Sequence, residues 1–471
     1  MNTLDTHDIQ GIILKGYAQL PASHFLLLAI DSNNQVGPWL QKVAEQVMPG
    51  NRKPTTQALN IAFTYTGLQA LGLPADAMQT FPLELEDGMT TPHKQLFLGD
   101  FDYNDPRKWH WGGPTNEPVH ALLMLYALDE DTLDELYQQQ VQQLPTGVRL
   151  IKKLETSVLS KRKEHFGFRD GIAQPTIEGL SRTDTPENTV AAGEFILGYK
   201  NSYQQYPDSP VVTSTPAATH LPEATTNNTH DLGKNGSYLV FRQMEQNVQQ
   251  FWQYMHDATA ENGETNAEEM IKLAAKMMGR WPSGAPICLS PDKDDSSMEN
   301  HDSFAYRASD SEGLKCPIGS HIRRTNPRDA MDVDLKTSIE ISNKHRILRR
   351  GRSYGKPVCE SLEPSEILSS KNFEGERGLH FLCFNTSIAR QFEFIQNAWV
   401  NNPKLFNLNN ERDPIIGNNH HPEDEHKSGF FSTPRNGLRK RLSNIPPFVT
   451  VKGGAYFFMP GIKALSYLST L

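Results

Sequence analysis

The chain has 471 residues, 37% hydrophobic and 9% aromatic, which fits a soluble globular protein large enough for two domains or one duplicated unit. A formal net charge of −9 argues against general nucleic-acid binding. No run of about 18 apolar residues marks a membrane span, and the polar, acidic start lacks the pattern of an export signal.

The four cysteines, Cys288, Cys316, Cys359 and Cys383, form no Cys-x-x-Cys. They predict buried thiols in a reducing cytoplasm rather than a disulfide frame or a zinc site. In chain order, 24–30 is an apolar run suited to a buried strand. Leu40, Val43, Ala44 and Val47 recur at helical spacing over 38–47. Residues 58–65 alternate like a strand, and 67–73 follow as a short helix stopped by Pro74. A second apolar run covers 119–127, then a helix over 129–143 capped by Asp129 or Asp131. Residues 148–154 lead towards the first motif. Residues 209–230, rich in Thr, Pro and Asn, read as a loop. The second half offers strands at 236–244, 379–384 and 448–458, and helices at 247–257, 267–278 and 388–400.

Three segments carry the chemistry. In His165-Phe166-Gly167-Phe168-Arg169-Asp170-Gly171-Ile172-Ala173-Gln174-Pro175 a carboxylate sits between two glycines. Gly167 and Gly171 permit a tight turn or close approach to a flat ligand, and dry surroundings would tune Asp170. The second segment runs from Cys316 to Arg328. There His321 follows the small residues Gly319 and Ser320, which would let a broad ring approach. Arg323, Arg324 and Arg328 come after it, suited to carboxylates. The third is Ile347-Leu348-Arg349-Arg350-Gly351-Arg352, in which one arginine could face a pocket while its neighbours meet solvent or propionates. Each segment alone also fits a plainer reading: a surface Asp-Gly turn, a hydrogen-bonded histidine, a solvated basic strand end.

In this order the three segments resemble the dye-decolorising peroxidase family of haem enzymes. Gly167 to Gly171 looks like its Gly-x-x-Asp-Gly motif, His321-Ile322-Arg323-Arg324 like its proximal histidine motif, and Arg349 like its distal arginine. Stretches 8–17, 377–385 and 448–460 are similar to family signatures, so the likeness runs nearly end to end.

The resemblance implies an α+β fold of two ferredoxin-like halves with antiparallel sheets, 1–234 and 235–471, with haem held mainly by the second. It implies one haem b per chain with His321 as axial ligand to iron. Asp170 would move a proton on hydrogen peroxide, and Arg349 would steady the developing charge. Gly171, Ile172, Leu379 and Phe381 would border the haem with them. The partners implied are hydrogen peroxide and small aromatic reductants or dyes, with no nucleic acid and no membrane, and a homodimer. A haem-handling protein with little turnover is the alternative, and a haem-free binding module a further one.

Glu393 is one candidate acceptor behind His321, as are acids near the C-terminus. His380 departs from the apolar residue expected between Leu379 and Phe381 and is read as a buried structural group. Ala173 stands where several relatives have serine. Trp252, Trp281, Trp399, Tyr238 and Tyr354 read as core aromatics rather than electron relays. The tract His420-His421-Pro422-Glu423-Asp424-Glu425-His426 reads as a solvated loop rather than a metal site.

Overall fold

A computed structural model describes residues 3–32, 35–180, 185, 187–262, 264–332, 334–419, 429–435 and 438–471. The histidine-rich tract 420–426 lies outside them. The N-terminal strands are β1 (Ala22–Ile30), β2 (Gln57–Phe63), β3 (Ala121–Ala127) and β4 (Val148–Glu155). The C-terminal ones are β5 (Ser237–Gln246), β6 (Leu348–Arg349), β7 (Arg352–Tyr354), β8 (Gly378–Asn385), the hairpin strands β9 (Gly429–Arg435) and β10 (Leu438–Ile445), and β11 (Val449–Met459).

All but the hairpin join one antiparallel sheet in the order β6-β8-β5-β11-β2-β3-β1-β4, with β7 also on β8. Strands β11 and β2 join through the pair Phe458 with Phe63. Every residue of β1 and β3 is buried. Strands buried on both faces read as continuous apolar runs rather than alternating ones, which is how the sequence marks them. The outermost strand β4 instead carries Lys152 and Lys153, a composition that discourages pairing with another chain.

Helix α1 (Val36–Gln46) and helix α2 (Glu130–Gln142) accompany the first half. Asp129 caps α2 by accepting from the Thr132 N–H at 2.8 Å. In the second half, α3 (Val248–Thr259) is capped by Asn247 and α4 (Ala267–Met278) by Asn266. Gly279 ends α4, and a Cβ there would lie 2.4 Å from the Ile322 side chain. That close approach seats α4 against the short helix α5 (His321–Thr325).

The sequence-predicted helix over 388–400 forms with wide turns. Glu393 N–H donates to Ile388 O at 2.9 Å and Asn401 N–H to Gln396 O at 3.0 Å, both five residues back. Such widened helices occur mostly at functional sites. Residues 209–230, read as loop, contain a short ladder of Val211–Thr213 with Thr229–Asp231. Buried apolar clusters draw on residues of both halves.

Candidate active site

Gly167 and Gly171 adopt φ of +94° and +80°, a region side chains avoid, so the sequence turns sharply around Asp170. Asp170 Oδ1 accepts from the Gly171 N–H at 2.6 Å and from Arg349 at 3.1 Å. Its Oδ2 has no partner among the described residues. The side chain is 42% exposed. Removal from water raises its proton affinity. The Arg349 charge, the Gly171 N–H and the nearby His321 outweigh that and hold the carboxyl below its ordinary range. Arg349 comes from β6, and its backbone N–H donates to Gln174 Oε1 at 3.1 Å. Gln174, four residues after Asp170, thus links the two segments. Sequence reading missed it because a glutamine before a proline carries no chemistry of its own.

Opposite them, α5 starts at His321, whose Nδ1 lies 2.9 Å from Asp413 Oδ2. The other ring nitrogen, Nε2, has no partner among the described residues. Asp413 is fully buried, and its Oδ1 accepts from the Ile415 and Ile416 N–H groups at 2.9 and 3.0 Å. Burial pushes this carboxyl up, but the His321 ring, the Ile416 N–H and Arg324 more than offset it and the net shift is downward. An acid behind a ring nitrogen fixes the tautomer and makes the other nitrogen a stronger ligand. Asp413 therefore settles which acid backs His321. Glu393 turns elsewhere, bonding Lys94 with both oxygens at 2.8 Å and accepting from Tyr456 at 3.0 Å. The available signal was Asp413-Pro414, a turn-forming pair whose carboxyl bonds its own backbone two residues on.

His321 and Arg349 line one cavity of about 850 Å³, open mouth included. Ala173, Phe381, Phe392, Ile395, Val400 and Ile416 supply wall, and Arg280, Arg328, Arg346 and Asn326 supply polar groups. Asp170 joins through Arg349. Phe381 is part of the wall, whereas Gly171, Ile172 and Leu379 are not among its residues. Ile172 packs at Gly284, and Leu379 is half-buried on the same face of β8 as Phe381.

His380 points to the other face. It stacks on Tyr354 at 4.6 Å, and its Nε2 meets Glu155 O at 3.1 Å. Burial pushes its pKa down to about 4, so it is a neutral core residue. The five aromatics named from sequence are all buried.

Other expectations need correction. Gly319 and Ser320 do not open space beside His321. A Cβ on Gly319 would meet Glu411 and Phe431 at 3.5 Å, and Ser320 is buried and bonds Lys276 O at 2.5 Å. Of the three arginines after His321, only Arg328 reaches the cavity. Arg323 binds Asp310 and Cys316 O, and Arg324 binds carbonyls of Trp399, Asn402 and Glu411. Arg350 and Arg352 are partly exposed, and among the described residues neither meets a carboxylate. Arg350 donates to the Ile12 and Ile13 carbonyls at 3.0 and 3.1 Å, and Arg352 to those of Gly16 and Tyr17 at 3.2 and 3.1 Å.

The cavity suits an anionic ligand that can take up an imidazole: one ring nitrogen of His321 is unclaimed among the described residues, and four arginines line the space. Two buried polar atoms on wall residues, Arg328 Nε and Tyr306 Oη, lack partners among the described residues. Groups of three or more metal-ligating side chains are absent there, so a lone imidazole is the feature to explain.

No family model matches the chain. It is 30% identical over 491 residues to the dye-decolorizing peroxidase msp1 of Mycetinis scorodonius, spanning 98% of this chain and 87% of that one. The crystal structure of a fungal DyP-type peroxidase from Auricularia auricula-judae matches with TM-score 0.79 and 28% identity over 100% of both chains. A dye-decolorizing peroxidase in complex with 2,6-dimethoxyphenol matches with TM-score 0.76 and 25% identity, over 98% of this chain and 99% of that one.

Proposed function

The chain belongs to the dye-decolorizing peroxidase family, and from that premise we propose that it is a haem peroxidase reducing hydrogen peroxide with electrons from small phenols or dyes. The observation that carries the site assignment is Asp170 bonded to Arg349, which lines the same cavity as His321, with Asp170 Oδ2 and His321 Nε2 both unpartnered among the described residues.

His321 would hold the iron of one haem b per chain. Arg328, Arg346 and Asn326 would meet its carboxylates. Phe381, Phe392, Ile395 and Ile416 would pack against the ring, with Gly171, Ile172 and Leu379 bordering it. When bound, haem supplies the redox-active iron and the store of oxidising equivalents spent on the reductant.

Asp170 Oδ2 takes the proton from the inner oxygen of peroxide and delivers it to the outer one, so water leaves instead of hydroxide. Its other oxygen stays tied to Arg349 and the Gly171 N–H, which aims the free one. Arg349 donates to peroxide and steadies charge as the O–O bond lengthens. One such donor is worth roughly 3–4 kcal/mol. Asp413 keeps the His321 ring oriented. The phenol complex of a relative supports extending the reductant class to this chain.

We place the units at 1–234 and 235–471 and read each as ferredoxin-like, with haem mainly in the second. The four unpaired cysteines support a cytoplasmic site. A homodimer is part of the same reading. The test is reconstitution with hemin followed by stopped-flow mixing with hydrogen peroxide. A Soret band that shifts rapidly in the wild type and about a hundredfold or more slower in Arg349→Leu supports the assignment. A protein that binds hemin but reacts no faster than the variant is a haem carrier, and one that stays colourless has no haem site.

A further inference from the structure

The turn that presents Asp170 is organised by one residue, Glu164. Its Oε2 accepts from the Phe166 N–H and its Oε1 from the Phe168 N–H, each at 2.9 Å. Its backbone N–H donates to Phe168 O at 2.8 Å, and its carbonyl accepts from the Gly167 N–H at 2.9 Å. The Asp170 N–H returns to Arg162 O at 3.0 Å, closing the segment. From β5, Gln246 donates its side-chain amide to Glu164 Oε2. The oxygen of that amide is buried and has no partner.

We infer that Glu164 is a positioning residue for Asp170, and that Glu164 and Gln246 form a proton-dependent latch on the turn between them. This rests on the role proposed for Asp170 above. When Glu164 is ionised, its two oxygens serve three donors, as observed. When it is protonated, one oxygen must donate. Backbone N–H groups cannot reverse, but an amide can. Rotation of Gln246 by half a turn presents its unpartnered oxygen to the new O–H. Both bonds to the turn survive, and the negative charge near Asp170 disappears.

Burial pushes the Glu164 pKa up to about 7. The Phe166 N–H, Gln246 and the Phe168 N–H act against the rise, and the charge of Asp170 adds to it. Other charges around the segment are taken up. Lys163 pairs with Glu363 at 3.2 Å, and Arg169 with Glu299 at 2.6 Å. On β5, Arg242 pairs with Asp100 and Glu245 with Lys452 at 2.9 Å. Arg377, whose carbonyl accepts the Gln246 N–H at 2.8 Å, directs its guanidinium to Asn372 and Glu374. His165 bonds Tyr354 O at 2.8 Å, and its pKa is pushed down to about 4 by burial.

The experiment is the second-order rate constant of the hemin-loaded protein with hydrogen peroxide, followed from acid through neutral to alkaline pH. The wild type should show a step near pH 7. Glu164→Gln cannot accept from both N–H groups. It should lose the step and react about tenfold or more slowly, with haem content and the KM for a phenol unchanged. Gln246→Leu removes a donor to the ionised form, so its step should move to higher pH. A Glu164→Gln protein with the wild-type rate and step overturns the inference. A Gln246→Leu protein whose step stays in place does so too, and decides the matter if the first variant fails to fold. A wild type that does not react with peroxide removes the peroxidase reading itself, a distinct result.

Discussion

Asp413 and Asp170 are the same residue type, one bonded to His321 and one to Arg349, both held more acidic than usual, yet differently engaged. Asp413 is fully buried, and its oxygens are occupied by the His321 ring and two backbone N–H groups. Asp170 is 42% exposed, and one of its oxygens has no partner. A carboxylate with a partner on each oxygen is a fixed charge that orients its neighbour. One with an oxygen to spare can take a proton and give it back. The difference in function lies in the spare acceptor and not in the acidity.

That contrast can be broken at either end. Replacing Asp170 by Asn removes the proton acceptor while keeping the shape. The peroxide reaction should fall by about a hundred- to ten-thousandfold, while hemin binding, read from the Soret band, stays intact. The pH dependence sharpens the point. The ionised, competent form of Asp170 is lost only as pH falls through its lowered pKa, so the acid limb of the rate should lie below the usual carboxylate range. Arg349→Leu should move that limb upward.

Asp413→Asn addresses the other side. The weaker acceptor should cost about 10–100-fold in hemin affinity, measured by competitive transfer to a haem acceptor, and leave the acid limb where it was. Equal effects of both asparagine substitutions on hemin affinity would erase the distinction. The smallest effect belongs to a residue near neither carboxylate. His380→Phe keeps the stack on Tyr354, loses the bond to Glu155 O and removes an unpartnered ring nitrogen. Stability by urea unfolding should change by about 1 kcal/mol or less, with the peroxide rate unaltered.

Much of this was legible in the sequence. Helix 267–278 has the predicted bounds because a capping asparagine and a closing glycine flank an apolar stripe. The fully buried β1 and β3 announce themselves as uninterrupted apolar runs. The hairpin Gly429–Arg435 with Leu438–Ile445 escaped notice because its second strand is largely exposed and polar. At the site, Asp170, His321 and Arg349 stood out as motifs. Asp413, 92 residues beyond His321, could not be singled out by local chemistry. The arginines after His321 misled for a related reason. A guanidinium satisfies several backbone carbonyls as readily as a ligand carboxylate, and only the fold decides which it meets.

The pair Arg350 and Arg352 shows what that means for assembly. Their guanidinium groups grip carbonyls of residues 12–17, more than 330 positions away in the chain. Those groups flank the strand that delivers Arg349. Residues 12–17 thus brace the segment that carries Arg349. Removing residues 12–17 would strip both guanidinium groups of these acceptors and slacken a centre that those residues do not line.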